Sequence, residues 1–404
     1  MAKIFISTVF GYANKGDWAL FNSLKRTLES LYGKCEISAT CKNANLQSKY
    51  IKDINWIEQL GSSNLRGIRR YLMIMLGYVK SLCLIMLYPI SQNLYVKALK
   101  SSDIIIACPG GYLHDANHSI VTLIFNFLLC LRSKKKFILA PQSIGPVKSK
   151  LYVLILKKIL KRCDYIFTRE TYSYDFCIQK LGLDKNKISN VMDMAFYDRT
   201  ILHSKFITEL PKRFIATTLI HWLYPNSKSP NTEYIHYLDE LSKFYIKIVT
   251  ENDLDIIVLK QIEDFGDRIG DDLIYEKLAK RLPNNIKSRV RLINEFLSPE
   301  EMKGVISKAD AFIGSRMHSN IFALTCGIPV IAISYQPKTE YIMKSLGLGE
   351  FSIPINEISE AELSKKYRNI SNYPQYFELM NQLSEDSKNK FISKIKEIDV
   401  DGYC

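Results

Sequence analysis

The sequence lacks several features that would place it in a class of protein at once. Its nine cysteines are odd in number and include no Cys-x-x-Cys pair, so neither a disulfide framework nor a structural zinc site is predicted. No internal repeat, low-complexity tract, zinc finger, RNA-binding aromatic signature or arginine-rich arm is present, which makes nucleic acid the weaker choice of partner. The first residues show no signal-peptide cleavage pattern. We therefore expect a reduced, cytoplasmic compartment.

The chain does have length, an apolar interior and positive charge. Its 404 residues suit two domains, and 47% hydrophobic with 24% charged residues is typical of a globular protein. The formal net charge of +14 attracts anions, such as nucleic acid, an acidic membrane surface or a phosphorylated substrate. A solvated basic surface without a specific partner would explain the same charge.

The apolar stretch at residues 71–90 has the length of a membrane span and follows the basic residues Arg66, Arg69 and Arg70. Lys80 lies at its centre, where a charge costs about 2.5–3.5 kcal/mol on insertion scales, and a proline follows near its end. These features favour a buried or interfacial helix over a membrane span. We expect a soluble enzyme that contacts anionic membranes peripherally, at the inner face of the membrane, and that salt releases.

Short apolar runs alternate with helical patterns in two successive arrays. Their continuous hydrophobicity predicts parallel strands that are buried on both faces. The sequence therefore predicts an α/β fold of two doubly wound, Rossmann-like domains that face a cleft. The predicted domains are residues 1–200, with an apolar helical insert near 66–90, residues 201–375, and a helical tail at 376–404. Predicted strands are 3–10, 103–108, 137–140, 165–168, 214–219, 256–259, 311–313 and 329–334, and predicted helices are 17–31, 120–131, 151–162, 171–181, 232–250, 316–326 and one that starts at Ser298 with a capping box.

Each distinctive motif follows a predicted strand, where ligands bind in such folds. Glycine-rich turns there allow close backbone approach to a ligand and expose N–H groups at a helix start. A tight turn or a helix N-cap explains the same glycines, and an Arg-Glu pair after a strand is often structural. The motifs of the first half are Asn14, Gly16 and Asp17; Gly110 and Gly111; Gln142 and Ser143; and Arg169 with Glu170.

The most informative motif opens a helix after the strand at 311–313. Ser315, Arg316 and His318 stand there, and Tyr335 and Lys338 follow the next strand. We expect the two cations and the imidazole to converge without an acidic cluster nearby. Such a group suits a multiply charged anion, because an arginine binds a carboxylate or phosphate through two parallel hydrogen bonds.

Taken together and in order, these motifs resemble the polysaccharide pyruvyl transferase family. The family pattern has Asn-x-Gly-Asp, a glycine-rich turn, Gln-Ser-x-Gly-Pro, Arg-Glu, Ser-Arg-x-His and Tyr-x-x-Lys, and it recurs here from about residue 10 to 338. One departure is Pro109, which stands where the family commonly has the first of three glycines. The matching residues are Asn14, Gly16, Asp17, Gly110, Gly111, Gln142, Ser143, Gly145, Pro146, Arg169, Glu170, Ser315, Arg316, His318, Tyr335 and Lys338.

The resemblance implies a fold like that of the B-type glycosyltransferases, with the active site between the domains. It implies phosphoenolpyruvate as donor, a sugar diol of a surface polysaccharide or lipid-linked precursor as acceptor, a ketal product, and no metal or redox cofactor. For this chemistry we assign Arg316, Lys338 and Arg169 to the donor's charges and His318 to proton donation. Asp17 and Asn14 are candidates for orienting or deprotonating the acceptor hydroxyl, the glycine turns for supplying N–H groups, and Gln142, Ser143, Ser315 and Tyr335 for binding substrate.

Two alternatives stay open. A glycosyltransferase with a nucleotide-sugar donor would bind diphosphate with the same kinds of basic groups. A non-catalytic glycan-binding module could have the same fold, although it would not need a protonatable group among donor-binding cations. Donor dependence distinguishes the three.

Overall fold

The computed structural model describes residues 1–61, 63, 67–115, 119–203, 205–222, 229–264 and 270–399. Their contacts divide the chain into two compact units. The first unit comprises Met1–Tyr12, Asp17–Asp198 and the chain from Leu383 onward. The second comprises Ala13–Gly16 and Arg199–Gln382.

The first unit contains an eight-stranded sheet in the order β3-β2-β1-β4-β6-β7-β8, with β5 paired to β6. All of its strand pairs are parallel. The strands are β1 (Lys3–Val9), β2 (Glu36–Cys41), β3 (Asn55–Glu58), β4 (Ile104–Ala107), β5 (Gly110–Leu113), β6 (Lys136–Ile144), β7 (Tyr165–Thr168) and β8 (Ile188–Asn190). The helices are α1 (Lys15–Tyr32), α2 (Ala44–Tyr50), α3 (Gly67–Met86), α4 (Leu94–Ser101), α5 (Ser119–Arg132), α6 (Lys150–Leu160) and α7 (Thr171–Asp175), which a π-helix at Phe176–Lys180 continues.

The second unit contains a six-stranded parallel sheet in the order β11-β10-β9-β12-β13-β14. Its strands are β9 (Phe214–Thr218), β10 (Asp255–Leu259), β11 (Val290–Leu292), β12 (Ala311–Gly314), β13 (Val330–Ser334) and β14 (Ser352–Pro354). Its helices are α8 (Pro230–Asn252), α9 (Asp271–Ala279), α10 (Asn284–Lys287), α11 (Pro299–Ile306), α12 (Met317–Thr325), α13 (Pro337–Ser345) and α14 (Glu360–Arg368). A last helix, α15 (Phe377–Asp399), begins in this unit and continues into the first.

The central strands bury both faces, as continuous apolar runs predict for parallel sheets. Every residue of β4, β7, β9 and β12 is buried. The predicted two parallel-sheet α/β domains are thus confirmed. The predicted capping box is also present, because the Ser298 hydroxyl accepts the Glu301 N–H while the Glu301 carboxylate accepts the Ser298 N–H.

The apolar stretch that follows the basic cluster forms helix α3 and the turn after it. Ser81 and Leu84 are buried, but most of its large side chains are exposed, which excludes the buried alternative of the prediction and leaves the interfacial one. Arg66 lies outside the described residues. Within the described ranges, no helix combines the length and the apolar character needed to cross a membrane.

The predicted helical tail is α15. In the first unit its Ser384 hydroxyl donates to the Phe196 carbonyl at 3.0 Å, and the Phe391 ring packs 4.8 Å from that of Phe167. Phe391 and Ile395 are fully buried. The charged sequence of the tail therefore hides an apolar stripe that docks on the first sheet.

Candidate active site

The first unit places Arg169 directly after β7, with its charge balanced by carboxylates. Its Nε donates to Ser143 Oγ at 2.7 Å, and its Nη1 lies 2.7 Å from Asp193 Oδ2. Glu170 Oε2 accepts the Ser143 hydroxyl at 3.0 Å and lies 3.7 Å from Arg169 Nε. Burial alone would lower the pKa of Arg169, but Asp193 and Glu170 hold it above its usual value. The guanidinium is therefore fixed within the protein, and its predicted role at the donor stays a prediction.

The glycines that follow β4, predicted as a turn, begin strand β5 and provide space for this network. A Cβ on Gly111 would lie 2.6 Å from Arg169 Nη2, so a larger residue would displace the guanidinium. Tyr112 follows, its ring stacked on Phe10 with centroids 3.5 Å apart, and its hydroxyl donates to Asp17 Oδ1. Asp17 is buried in the first turn of α1.

The other predicted residues of this unit lie beside the network. Gly110 is in contact with the Tyr112 ring, because a Cβ there would lie 2.6 Å from it. The Gln142 side chain donates to the Cys108 carbonyl and is buried. The structure thus brings the predicted residues Asp17, Gly110, Gly111, Gln142, Ser143 and Arg169 to one region of the first sheet, together with the carboxylates of Glu170 and Asp193.

In the second unit, Arg316 stands at the N-cap of α12, just after β12. Its Nε donates to the Leu219 carbonyl at 3.0 Å, and its Nη2 pairs with Asp271 Oδ1. The other oxygen of Asp271 accepts backbone N–H groups of Gln261 and Ile262 at 2.8 and 3.0 Å. We expected no acidic cluster nearby to neutralise these cations, but a single carboxylate neutralises Arg316, because Asp271, 45 residues away in sequence, begins α9 beside it.

The segment Ala13–Gly16 joins the loop that follows β10. Asn14 forms a bridge with Ile262, and the Lys15 N–H donates to the Gln261 carbonyl at 2.9 Å. Asn14 Oδ1 accepts the Gly16 N–H at 3.0 Å and the Gln261 side-chain amide at 3.3 Å. Gln261 Oε1 in turn accepts the Ser319 N–H of α12 at 3.0 Å. A single amide therefore links this segment to the helix that carries Arg316 and His318.

His318 lies in the first turn of α12 and is buried. A Cβ on Gly16 would overlap its imidazole ring, so only glycine lets the chain pass this close. The family pattern Asn-x-Gly and the pattern Ser-Arg-x-His, which are some 300 residues apart, thus meet in space within the second unit. The sequence predicts each motif separately but not this contact.

A buried ionic group completes the second unit's strand ends. Glu263 bridges two lysines, with Lys15 Nζ at 2.6 Å and Lys260 Nζ at 3.0 Å. Lys260 also donates to the Asn294 carbonyl at 2.6 Å. Burial lowers the pKa of Lys15, against the raising effect of Glu263. No motif predicted this ionic group, although the segment from Lys260 to Glu263 directly follows a predicted strand.

Ser315, Tyr335 and Lys338 occupy the same edge of the second sheet, because β12 and β13 are paired in parallel. The Ser315 hydroxyl lies 2.7 Å from that of Tyr237, and the Tyr335 ring lies 4.8 Å from Trp222. Lys338 is half-buried at the second position of α13.

His221 is a further residue near this edge that sequence reasoning missed. Burial lowers its pKa, as do the neighbouring charges of Lys277 and Arg316. It follows β9 without a recognisable motif, so only the folded chain places it beside Arg316.

Comparison with solved structures defines the class of fold. A UDP-GlcNAc 2-epimerase from Methanocaldococcus jannaschii is similar over 98% of this chain and 99% of its own, with a TM-score of 0.62 and 12% identity. A glycosyltransferase from Rickettsia africae is similar over 98% of each chain, with a TM-score of 0.58 and 11% identity. The fold is therefore the Rossmann-like, two-domain fold of the B-type glycosyltransferases.

The sequence comparisons define the family within that class. The family model for polysaccharide pyruvyl transferase matches residues 14–337, and the chain belongs to this family. The chain is also 23% identical to the amylovoran biosynthesis protein AmsJ of Erwinia amylovora, over 90% of each chain. These matches confirm the family resemblance drawn from the motifs and support a transferase that modifies a polysaccharide.

Proposed function

We propose that the protein transfers the pyruvyl group of phosphoenolpyruvate to two hydroxyls of a sugar, as a ketal, on a surface polysaccharide or its lipid-linked precursor. The observation that carries this proposal is the family match together with the arrangement at the start of α12. There the buried Arg316 forms hydrogen bonds through Nε and Nη2, and His318 packs against Gly16 of the Asn-x-Gly turn.

The donor brings a phosphate and a carboxylate, which require fixed cations. Arg316 uses Nε and Nη2 for Leu219 and Asp271, and among the described residues its Nη1 has no protein partner. This leaves a directional donor for an anionic ligand. Lys338, at the start of the next helix, is the second candidate cation. Because Asp271 offsets the charge of Arg316, we assign Arg316 chiefly to orientation through hydrogen bonds.

The proposed reaction balances without a change in oxidation state, so it uses no redox cofactor, and we propose that the cations take the place of a metal. His318 donates a proton to the methylene carbon, which becomes the methyl group of the product. One sugar hydroxyl bonds to the carbon that bears phosphate, and phosphate leaves. The second hydroxyl bonds to the same carbon and closes the ketal. Of the two hydroxyl protons, one restores His318 and the other leaves with phosphate.

Asp17 follows Gly16 directly in the chain and stays our candidate for orienting the acceptor hydroxyl, with Asn14 beside it. The Tyr112 hydroxyl already donates to one Asp17 oxygen. That hydrogen bond fixes the orientation of the carboxylate. Arg169 lies in a network of carboxylates, which supports a positioning role for it.

Ligand binding tests the donor before the acceptor is known. Phosphoenolpyruvate should raise the melting temperature, by mass action, more than UDP-N-acetylglucosamine or inorganic phosphate does. Arg316→Ala should lose most of this shift, whereas Arg213→Ala, an exposed arginine of the same unit, should keep it. A larger shift with the sugar nucleotide would favour the glycosyltransferase alternative, and no shift with either would favour a glycan-binding module.

A further inference from the structure

Helix α3 and the segment after it expose an unusual amount of apolar surface. Twelve of the 23 large apolar side chains that are exposed among the described residues lie between positions 68 and 94. Leu72 and Leu76 are 60% and 63% exposed. A contiguous patch of this kind marks an interaction site, whereas single exposed apolar residues are ordinary. We call these twelve side chains the apolar face.

The opposite side of α3 is firmly packed on the first unit. A Cβ on Gly77 would lie 2.5 Å from the backbone nitrogen of Gly61, so the backbone of α3 contacts the backbone at Gly61. The Tyr78 ring stacks on Phe125 at 5.0 Å, and its hydroxyl lies 3.2 Å from that of Thr122. The apolar face is therefore presented by a helix that is fixed to the domain along one stripe.

The chain segment that carries the apolar face has charge of a single sign. No Asp or Glu occurs from residue 59 to 102, while six Lys or Arg do, and Arg69, Arg70 and Lys80 of α3 are exposed. Helices α5 and α6 also lack acidic residues. On α6, Leu151 and Leu154 are exposed beside several lysines. Apolar side chains among cations only are the pattern of a helix that lies in the interface of an anionic membrane.

We propose that the apolar face docks on an anionic lipid bilayer. Leucine, methionine and aromatic side chains of α3 insert at the boundary between headgroups and acyl chains. Arg69, Arg70 and Lys80 extend from the helix to lipid phosphates, with their aliphatic stems against the apolar surface. This surface would hold the enzyme where a lipid-linked acceptor is found, but its lipid binding is independent of the donor and of catalysis.

The same charges argue against a second copy of this chain as the occupant. Two copies that met through the apolar face would bring the cations of one α3 toward those of the other. No carboxylate between residues 59 and 102 is available to compensate them, and like charges at an interface are costly. Inserted apolar side chains also imply that salt alone releases the protein incompletely, which differs from the purely electrostatic contact expected from composition.

Vesicle flotation with the full chain tests the docking. We expect the protein to float with vesicles of phosphatidylcholine and phosphatidylglycerol, less with phosphatidylcholine alone, and to stay partly bound at high salt. Leu72→Ser/Leu76→Ser should lower the partition coefficient about tenfold or more, since both lose apolar area that lipid would cover. The matched control is Ile235→Ser/Leu273→Ser, two exposed apolar residues of the second unit, which should bind as the wild type does.

The charges are tested in the same assay. Arg69→Gln/Arg70→Gln/Lys80→Gln should weaken binding to the anionic vesicles by roughly fivefold per charge, with little effect on neutral vesicles. A triple Lys→Gln control at positions 212, 287 and 308, all exposed in the second unit, should not. Wild-type protein that floats with neither vesicle overturns the proposal, as does a leucine variant that binds normally. A dimer in light scattering that the leucine variant abolishes, without vesicle binding, would assign the face to a second copy.

Discussion

Arg316 is held by a carboxylate that is itself completely buried. Its side chain is 10% exposed and that of Asp271 is 0% exposed. Removing the arginine should therefore affect two properties at once: the proposed donor site would lose a hydrogen-bonding cation, and buried Asp271 would keep, among the described residues, its two backbone donors. Variants of Arg316 and Asp271 can separate these two effects.

Arg316→Ala should weaken phosphoenolpyruvate binding by about 1.5–3 kcal/mol, the range for a hydrogen bond to a charged group. It should also lower the free energy of unfolding by about 1–3 kcal/mol, because a buried acceptor loses its partner. Adding Asp271→Asn to this variant should restore part of the stability and none of the donor affinity, measured by denaturant titration and calorimetry. Donor affinity that returns with the stability would contradict a direct contact.

His318 is the candidate proton donor, and its replacement separates chemistry from binding. His318→Ala and His318→Asn should each lower turnover roughly 10²–10⁴-fold, the usual effect of losing a general acid. Donor affinity, measured by calorimetry, should change far less because both cations remain. An asparagine variant that keeps most of its turnover would move the proton to another group, and Asp17 would be tested next.

The sequence predicts where charged side chains follow buried strands better than it predicts the partners of those side chains. The motifs indicated Arg316, His318 and Arg169, since charged residues after buried strands are recognisable. Asp271 and Asp193 were not predicted as partners of Arg316 and Arg169. Each aspartate lies in a separate segment and comes close to its arginine only when the strands assemble. Predicting an isolated cation cluster from local sequence failed for this reason.

The turn at residues 13–16 contacts both helix α12 and the loop after β10. Gly16 lies against the His318 ring of α12, and no positive φ forces glycine at this position. Gly16→Ala should therefore act through the ring: we expect turnover to fall by roughly 10²-fold, the effect of about 1 Å of misplacement. The free energy of unfolding should also fall by about 1–3 kcal/mol, because the added methyl group overlaps buried His318 atoms that must shift. In a His318→Ala background the same change should cost little more, which steady-state kinetics can measure. An equal loss in both backgrounds would remove the ring from the explanation.

The ionic group of Lys15, Glu263 and Lys260 ties the same turn to the loop after β10. Glu263→Gln leaves two buried ammonium groups without their shared carboxylate, and should lower the free energy of unfolding by about 3–5 kcal/mol. Glu362→Gln, which breaks an exposed pair with Lys365, should cost less than about 1 kcal/mol. Denaturant titration of both variants measures these changes. Similar losses in the free energy of unfolding would show that the buried ionic group does not hold the turn to the loop.

The predicted bounds of strands and helices are accurate where the apolar pattern is long and continuous. The strand at Tyr165–Thr168 was predicted to the residue, and the other central strands to within a few residues, because their apolar runs are continuous. Strands β2, β3, β5, β8, β11 and β14 were missed, and five of these six have only three or four residues, which is too short to show a period. Helix α3 was predicted as buried or interfacial without a choice between the two, because an apolar run is the same whether protein or lipid covers it.

For the whole molecule, the fold and the family were predictable from the order of the motifs along the chain. The +14 charge alone could not distinguish a phosphorylated donor from a membrane. In the structure, part of this charge consists of buried, paired cations at the strand ends, and another part consists of exposed cations around the apolar face. A donor-binding defect and a membrane-binding defect should therefore arise from different variants.

The most direct test of the account is a transfer reaction in D₂O with phosphoenolpyruvate and a panel of saccharides that carry pairs of free hydroxyls. Mass spectrometry and a phosphate assay would follow the products, with His318→Asn as the control. We predict one phosphate released for each saccharide that gains a pyruvyl group, one solvent deuteron in each new methyl group, and almost no product with the variant. Nucleotide release from a sugar nucleotide, with no phosphate released from phosphoenolpyruvate, would contradict the account.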